Sequence, residues 1–475
     1  MPTSKTLRKI RPLQLVAVIF FTVSGGPYGL EPLISYAGQH AALLILLITP
    51  LMWDVPAILT VLELNSMMPV EGGYYRWVKH ALGTRWGFYE GWWTWLYTFI
   101  DLAIYPALFV TYASFFFPWL ADYRIPISLV FVWLSAMLNI LGIVPVGKTS
   151  LILGSLVLTP FIILFVMAFS HHAVTSIPTQ TLKGVPFSSL GMALYTVMWN
   201  CLGWDNVTTY AEEVEHPVKS YLYSTFTAFG LVIVLYFLII LISQQTGIDT
   251  GALKEHAFPA IGEAIGGRWL GSLIALAGMA SSFGIYAAVL LSVSRVPKVM
   301  ADDGLLPNRL NRLHSRFQSP YVSIIVCSLV VSLMVLWPFM DLLIIDVTVY
   351  GAGLSLEYIS LVKLRKVSPG VHRPFKIPLG IPGLCVLILL PVTVYFVALA
   401  AAFSSSEQAV WAAIFAIAVL ATAELIWRIV LWRKPEFKIS PDPDSYRDRK
   451  SGSPEVRKLE SPEVRKSVKS ERNCD

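Results

Sequence analysis

The chain has 475 residues, of which 55% are hydrophobic and only 14% charged, with a mean hydropathy of +0.64. A soluble domain carries about a quarter charged residues, so this composition excludes a water-soluble globular fold and points to a polytopic membrane protein. The net charge of +6 is spread over many loops with no nucleic-acid fold signature, which argues against nucleic acid as a partner.

Residues 1–12, "MPTSKTLRKIRP", form a basic terminus without a small-residue cleavage site, so the first apolar run is expected to be a retained span. Twelve runs of spanning length then recur at 13–37, 41–66, 86–117, 125–144, 149–170, 188–211, 221–243, 269–299, 320–338, 340–363, 381–403 and 408–432. Only "WPFMD" separates the ninth from the tenth. Fifteen Trp and twenty Tyr suit interfacial belts. Residues 433–475 are polar, repeat "SPEVRK", and read as a disordered, solvated tail.

Charge sets the expected orientation. With both termini cytoplasmic, the outside loops hold only Arg124, Lys183, Lys254 and Arg268. The basic residues Lys5, Arg8, Lys9 and Arg11, the segment Lys363–Lys376, and Lys148 fall inside. Cys201, Cys327, Cys385 and Cys474 show no metal or redox spacing, and a disulfide framework is not expected. There is no Walker loop, HExxH, CxxC or GxGxxG. His171 and His172 fall in an outside loop and read as solvated. The expectation is a non-enzyme without cofactor or metal.

Two spans are broken. Span 1 is interrupted at "SGGPYG" and span 6 at "WNCLGWDN" (Trp199–Asn206). Irregular backbone at membrane depth is tolerated only against protein or a watery cavity. Interrupted spans five apart indicate two five-helix inverted repeats, about 13–170 and 188–363, with a substrate site between the breaks and spans 381–403 and 408–432 outside the core. A proline kink and ordinary Gly/Asn packing are the plainer alternative.

At these residues the chain resembles the amino acid–polyamine–organocation superfamily of secondary transporters. "MPVEGGYYRWVKHALGTRWGFYEGW" (Met68–Trp92), "GWDNVTTYAEEVEHP" (Gly203–Pro217) and "SVSRVPKVMADDGLLP" (Ser292–Pro307) are similar to its motifs. The similarity covers residues 10–432. The form "SGGPYGLEP" most resembles the plant polyamine uptake transporters, which run as polyamine–proton symporters. The resemblance implies an all-α fold of twelve transmembrane helices, a 5+5 inverted repeat with helices 1 and 6 broken. It also implies a multi-pass plasma-membrane protein, with an endomembrane as the alternative; a monomeric transport unit in the bilayer is the default expectation.

Amino acid members carry Gly-Ser-Gly at the span 1 break. Here, aligned on Pro32, stand Gly25, Gly26 and Pro27, and proline has no N–H to donate. Nearby Glu31 repels a carboxylate and attracts ammonium groups. Intramembrane acids are costly and so are functional candidates: Glu31, Asp54, Glu63, Asp101, Asp205, Asp346, Glu357 and Glu424 all fall within spans. Glu31, Asp101 and Asp205 rank first as substrate residues. Asp54 and Asp346 read equally well as structural, and Glu424 pairs with Arg428 at i,i+4. Glu63 and Glu357, near the cytoplasmic ends, are expected to reach water.

The resemblance adds Trp199 and the span 6 acid, Asp205, as substrate and proton-coupling groups, with Asn200 and Asn206 beside them. Asp205 and Glu31 are the expected proton carriers. A lysine in place of sodium, found inside span 5 in some members, is missing; Lys148 lies only at the span's edge. Tyr28, Tyr286 and Tyr350 complete the set as aromatic faces for alkylammonium groups. The reading is a proton-coupled importer of polyamines such as putrescine, spermidine or spermine, with protons as the coupling ion. Alternatives are an amino acid permease of the same superfamily, or a non-transporting sensor or channel.

Overall fold

The computed structural model describes residues 9–435 and 437, apart from 39, 171–176, 247–256, 337–338 and 405–406. Lys5, Arg8, His171, His172, Lys254, Cys474 and the tail repeat lie outside the described residues. The described chain is helical, with seventeen α-helices, short 3-10 turns and two isolated β-bridges. Among the described residues, nine helical segments are long and apolar enough to cross a membrane.

Every expected span is occupied. Span 1 is α1 (Pro12–Val23) and α2 (Pro32–Ala37), and span 2 is α3 (Ala42–Met52) and α4 (Asp54–Met67), hinged at Trp53. A short helix, α5 (Gly73–Leu82), precedes span 3, α6 (Thr84–Ser114). Spans 4 and 5 are α7 (Arg124–Ile140) and α8 (Ile143–Ser170). Span 6 is α9 (Phe187–Trp199) followed by 3-10 turns at Asn206–Thr209 and Ala211–Glu213. Span 7 is α10 (Pro217–Gln245), and α11 (Ala257–Gly266) leads into span 8, α12 (Arg268–Val293) continued by α13 (Arg295–Asp302). Spans 9 to 12 are α14 (Tyr321–Met334), α15 (Phe339–Val367), α16 (Ile381–Phe403) and α17 (Glu407–Arg433). The ninth and tenth spans are therefore separate helices.

Lys148 lies inside α8 and exposed, not at its edge, because α8 begins at Ile143 after a two-residue link, Leu141–Gly142. The first and sixth spans fall short of spanning length because each stops at its break.

Burial sorts the helices by role. The most enclosed spans are α6, α12 and α15. α6 packs on both α12 and α15, α12 packs on α1, and α15 packs on α9. The outer helices α16 and α17 are the least enclosed, and show Val386, Leu389, Phe396, Trp411 and Leu425 on their outer faces, as a lipid-facing surface requires.

One end of the bundle, here the N-terminal face, is tied shut by polar contacts. Ile10 bridges to Val214 and Glu71 to Tyr210. Arg295 Nε lies 2.7 Å from Glu213 Oε1, and Lys298 Nζ 2.5 Å from Glu71 Oε2. Asp303 meets Arg76 at 2.9 Å and Lys79 at 3.0 Å. Burial raises the Asp303 carboxyl, but these two cations and the Tyr75 hydroxyl outweigh it and hold it below its usual range.

Candidate functional site

The two breaks face each other at the centre of the bundle. In span 1 the chain unwinds over Ser24–Glu31, with Gly25, Gly26 and Gly29 at positive φ. At Gly25 a Cβ would sit 2.2 Å from Ile285, and at Gly29 2.5 Å from the Trp199 ring. Only glycine lets these backbones approach so closely. Asn200 of span 6 donates from Nδ2 to the Gly29 carbonyl at 3.0 Å. The Tyr236 hydroxyl of α10 lies 2.8 Å from the Asn200 carbonyl and 2.7 Å from Ser24 Oγ, so one side chain joins both unwound segments.

The amides of the first break are already engaged. Gly26 N–H donates to Ser24 Oγ at 3.1 Å. Gly29 N–H donates to Glu31 Oε2 at 2.7 Å, while Tyr112 donates to Glu31 Oε1 at 2.7 Å. Glu31, buried, thus occupies the place of an anion in its own loop.

Span 6 presents its polar groups to α6 and α15. Asp205 Oδ1 accepts from the Tyr350 hydroxyl at 2.8 Å. Asn206 and Tyr97 exchange hydrogen bonds at 2.8 and 3.0 Å. Asp101 Oδ1 accepts from Tyr105 at 2.6 Å and from Trp199 Nε1 at 3.2 Å, and the Trp199 ring stacks on Tyr105. Gly25, Gly26, Glu31, Asp101, Trp199, Asn200, Asp205, Asn206 and Tyr350 are thereby brought into one continuous region, all of it buried.

Two expected members lie aside. Tyr286 points from α12 toward α7, its ring against Phe131, because its position on α12 faces away from the breaks. Tyr28 donates to the Ile274 carbonyl at 2.6 Å and packs on Tyr112 and Phe161, which directs it toward α8 and α12.

The acids divide into two classes. Those at the N-terminal face carry cations: besides Glu71, Glu213 and Asp303, Glu63 meets Arg365 at 2.5 Å and Arg373 at 3.5 Å. Glu424 meets Arg85 at 2.7 Å and Arg428 at 2.9 Å, and Tyr89 donates to it. The central acids Asp54, Glu90, Asp101, Asp205, Asp346 and Glu357 have no Lys or Arg partner among the described residues. Glu63 and Glu357 are both fully buried and do not reach water, since α4 and α15 pack on each other there. Asp54 accepts from Trp204 Nε1 at 3.0 Å. Among the described residues, Asp346 and Glu357 meet no hydrogen-bond donor within bonding geometry.

The central acids form a ladder. Glu90 and Asp101 are eleven residues apart on α6, and so are Asp346 and Glu357 on α15. The helices run antiparallel, so Asp101 lies near Asp346 at one end and Glu90 near Glu357 at the other. Eleven residues of helix span about 16 Å. Asp205, Tyr97 and Tyr350 lie between the two acid pairs.

Sequence reading passed over Glu90, Tyr97, Tyr105, Gly29 and Tyr236. The spacing Glu90, Thr94, Tyr97, Asp101, Tyr105 every three to four residues was a visible signal of one polar helix face. Tyr236 is a lone hydroxyl in an apolar run and carries little signal.

A family model described as amino acid permease matches residues 10–421. The polyamine transporter RMV1 of Arabidopsis thaliana is 34% identical over 397 residues, 82% of this chain and 80% of that protein. The polyamine transporter PUT1 of Oryza sativa subsp. japonica is 32% identical over 413 residues, 86% of this chain and 76% of its own. The serine/threonine exchanger SteT of Bacillus subtilis is 23% identical over 390 residues, 78% of this chain and 86% of its own.

Proposed function

This chain belongs to the amino acid permease family and is a multi-pass membrane transporter, and we propose that it imports polyamines together with protons by alternating access. The observation that carries the substrate class is the contrast between the two sets of acids. Ion pairs neutralise the peripheral acids, whereas Asp101, Asp205 and Asp346 are held in the buried centre with neutral donors or none among the described residues. Burying an unpaired carboxylate costs several kcal/mol. A flexible cation bearing several ammonium groups relieves that cost at several points at once, and Trp199, Tyr97 and Tyr350 line its path with aromatic faces.

A substrate carboxylate is less well served. The Gly26 and Gly29 amides are already taken by Ser24 and Glu31, and Pro27 has none. The names of the relatives RMV1 and PUT1 support the polyamine reading. The excess of Lys and Arg at the N-terminal face supports placing that face in the cytoplasm, and the plasma membrane is the membrane that importing from outside requires.

Uptake into proteoliposomes tests this reading. Labelled putrescine, spermidine and amino acids are compared with and without an inward proton gradient. Saturable spermidine or putrescine uptake that rises with the gradient is expected. Uptake of amino acids alone, or a response to sodium and not to protons, would overturn it.

A further inference from the structure

Proton-coupled uptake of a cation raises a problem of sign. An ammonium group arriving at a protonated carboxyl favours the ionised form and expels the proton. If that proton escapes to water, cation and proton exchange in opposite directions. Moving them together needs a second group, farther from the ammonium than the acid that pairs with it, that takes the proton and keeps it.

The structure holds such a group beside Asp205, toward the N-terminal face. Glu357 lies two helical turns beyond Tyr350 on α15, and Glu90 two turns before Tyr97 on α6. The Glu357 and Asp205 carboxyls abut. Glu90 lies against α15 as well, since a Cβ on Gly353 would be 3.2 Å from Glu90 Oε1. Both glutamates are fully buried, and Glu357 and Glu90 Oε2 have no donor in bonding geometry among the described residues.

A second observation comes from α5. The Tyr74 hydroxyl is fully buried near Thr94, with Asp205, Glu90 and Glu357 as the acids around it, and makes no hydrogen bond of good geometry among the described residues. The groups facing the two glutamates are Asp205 from span 6, Tyr74 from α5, Thr94 from α6, and Tyr350 and Tyr358 from α15, with Asp54 behind Tyr358. No lysine or arginine is among them in the described residues. The acids do not gather at metal-ligand spacing among the described residues. Two carboxyls in contact in a buried site share one proton, because like charges so close cannot both ionise.

We propose that Glu357 and Glu90, with the Tyr74 hydroxyl, form a proton-holding site that receives the proton Asp205 releases when it binds an ammonium group. This rests on the reading of the protein as a proton-coupled polyamine transporter. The proton shared by Asp205 and Glu357 passes wholly to a Glu357 oxygen. Asp205 becomes the carboxylate paired with the ammonium, and Glu357 becomes the neutral acid. The charge of the cluster rises by one, the charge of the ammonium itself. Tyr74 is placed to hydrogen-bond whichever glutamate remains ionised. The proton stays enclosed until the ion pairs of the N-terminal face part, and it then leaves on the same side as the substrate.

The test uses proteoliposomes of the full chain carrying Glu357→Gln, Glu90→Gln or Tyr74→Phe. Labelled spermidine counterflow is read without a gradient, and accumulation and dye-reported proton entry are read with one. Glu357→Gln and Glu90→Gln are expected to retain counterflow but lose both gradient-driven accumulation and proton entry. Tyr74→Phe is expected to shift the pH of half-maximal drive. Unaltered gradient-driven accumulation in both glutamine variants overturns the inference. Loss of counterflow in both also overturns it, since the pair then binds substrate or supports the fold. A wild-type protein that ignores the gradient removes the proton reading itself, an outcome seen before any variant is examined.

Discussion

Asp101→Asn separates charge from shape at the centre of the bundle. Both donors, Tyr105 O–H and Trp199 N–H, bond to the same oxygen, Oδ1. An asparagine keeps a carbonyl oxygen there, so Trp199 and Tyr105 stay satisfied and the fold loses little. What disappears is the negative charge available to an ammonium group. A hydrogen bond to a charged group contributes about 1.5–3 kcal/mol, and each 1.4 kcal/mol is tenfold in affinity. The expected result is a KM for spermidine raised by about 10- to 100-fold. Surface expression and thermal stability in detergent should match wild type. Radiolabelled uptake across a concentration series in a yeast strain lacking its own polyamine uptake reads this directly. An unchanged KM at normal surface level would refute the placement of Asp101 on the substrate path. So would a fall in expression equal to the fall in uptake, because Asp101 would then be a structural acid.

Gly29→Ala should lower thermal stability by about 1–3 kcal/mol, the range for a strained backbone position, since Gly29 has φ +88° and a Cβ would lie 2.5 Å from Trp199. A thermal-shift curve that superimposes on wild type would count against the close apposition of the two breaks. Glu63→Gln leaves Arg365 and Arg373 buried without their carboxylate, a loss of about 3–5 kcal/mol. It should appear as aggregated or absent protein on size-exclusion chromatography, and a monodisperse, wild-type-like peak would contradict the assignment. The depressed Asp303 carboxyl contributes stability that is present above its unfolded value, about 3.9, and is lost as pH falls through the lower folded value. Melting temperature measured from pH 7 down to pH 3 should drop in wild type, and the Asp303→Asn protein should be less stable at pH 7 but less sensitive below pH 4. Parallel curves for the two proteins would show that Asp303 does not latch the N-terminal face.

Transfer cost and local backbone chemistry are properties of each residue, and these made the spans and their breaks legible in the chain. Twelve apolar runs stand where helices are found, because each run must satisfy its own backbone in lipid. The breaks are where Gly25, Gly26, Pro27 and Gly203 disfavour helix. That Asp101 and Asp205 are intramembrane acids, and so candidates, was legible on the same ground, since a carboxyl in a span is costly wherever it points. Direction was not legible. Tyr28 and Tyr286 turn toward other helices, and Glu357 and Glu63, expected to reach water, are enclosed. Whether a side chain meets a neighbour or lipid depends on how one helix is rotated against the next.

That rotation is set by the packing of α6 on α12 and on α15, whose contacts join residues far apart in the chain. The sequence by itself therefore determined the number of spans, the two breaks and the presence of buried acids. Only the tertiary structure decided which acids are neutralised by cations and which stand opposite one another. Ion pairing depends on approach within about 4 Å; Glu63 and Arg365 come that near because the C-terminal ends of α4 and α15 lie side by side, and Glu90 and Glu357 face each other because α6 and α15 run antiparallel. The equal eleven-residue spacing on α6 and α15 was present in the sequence all along. It acquired meaning as a ladder when the fold laid the two helices side by side.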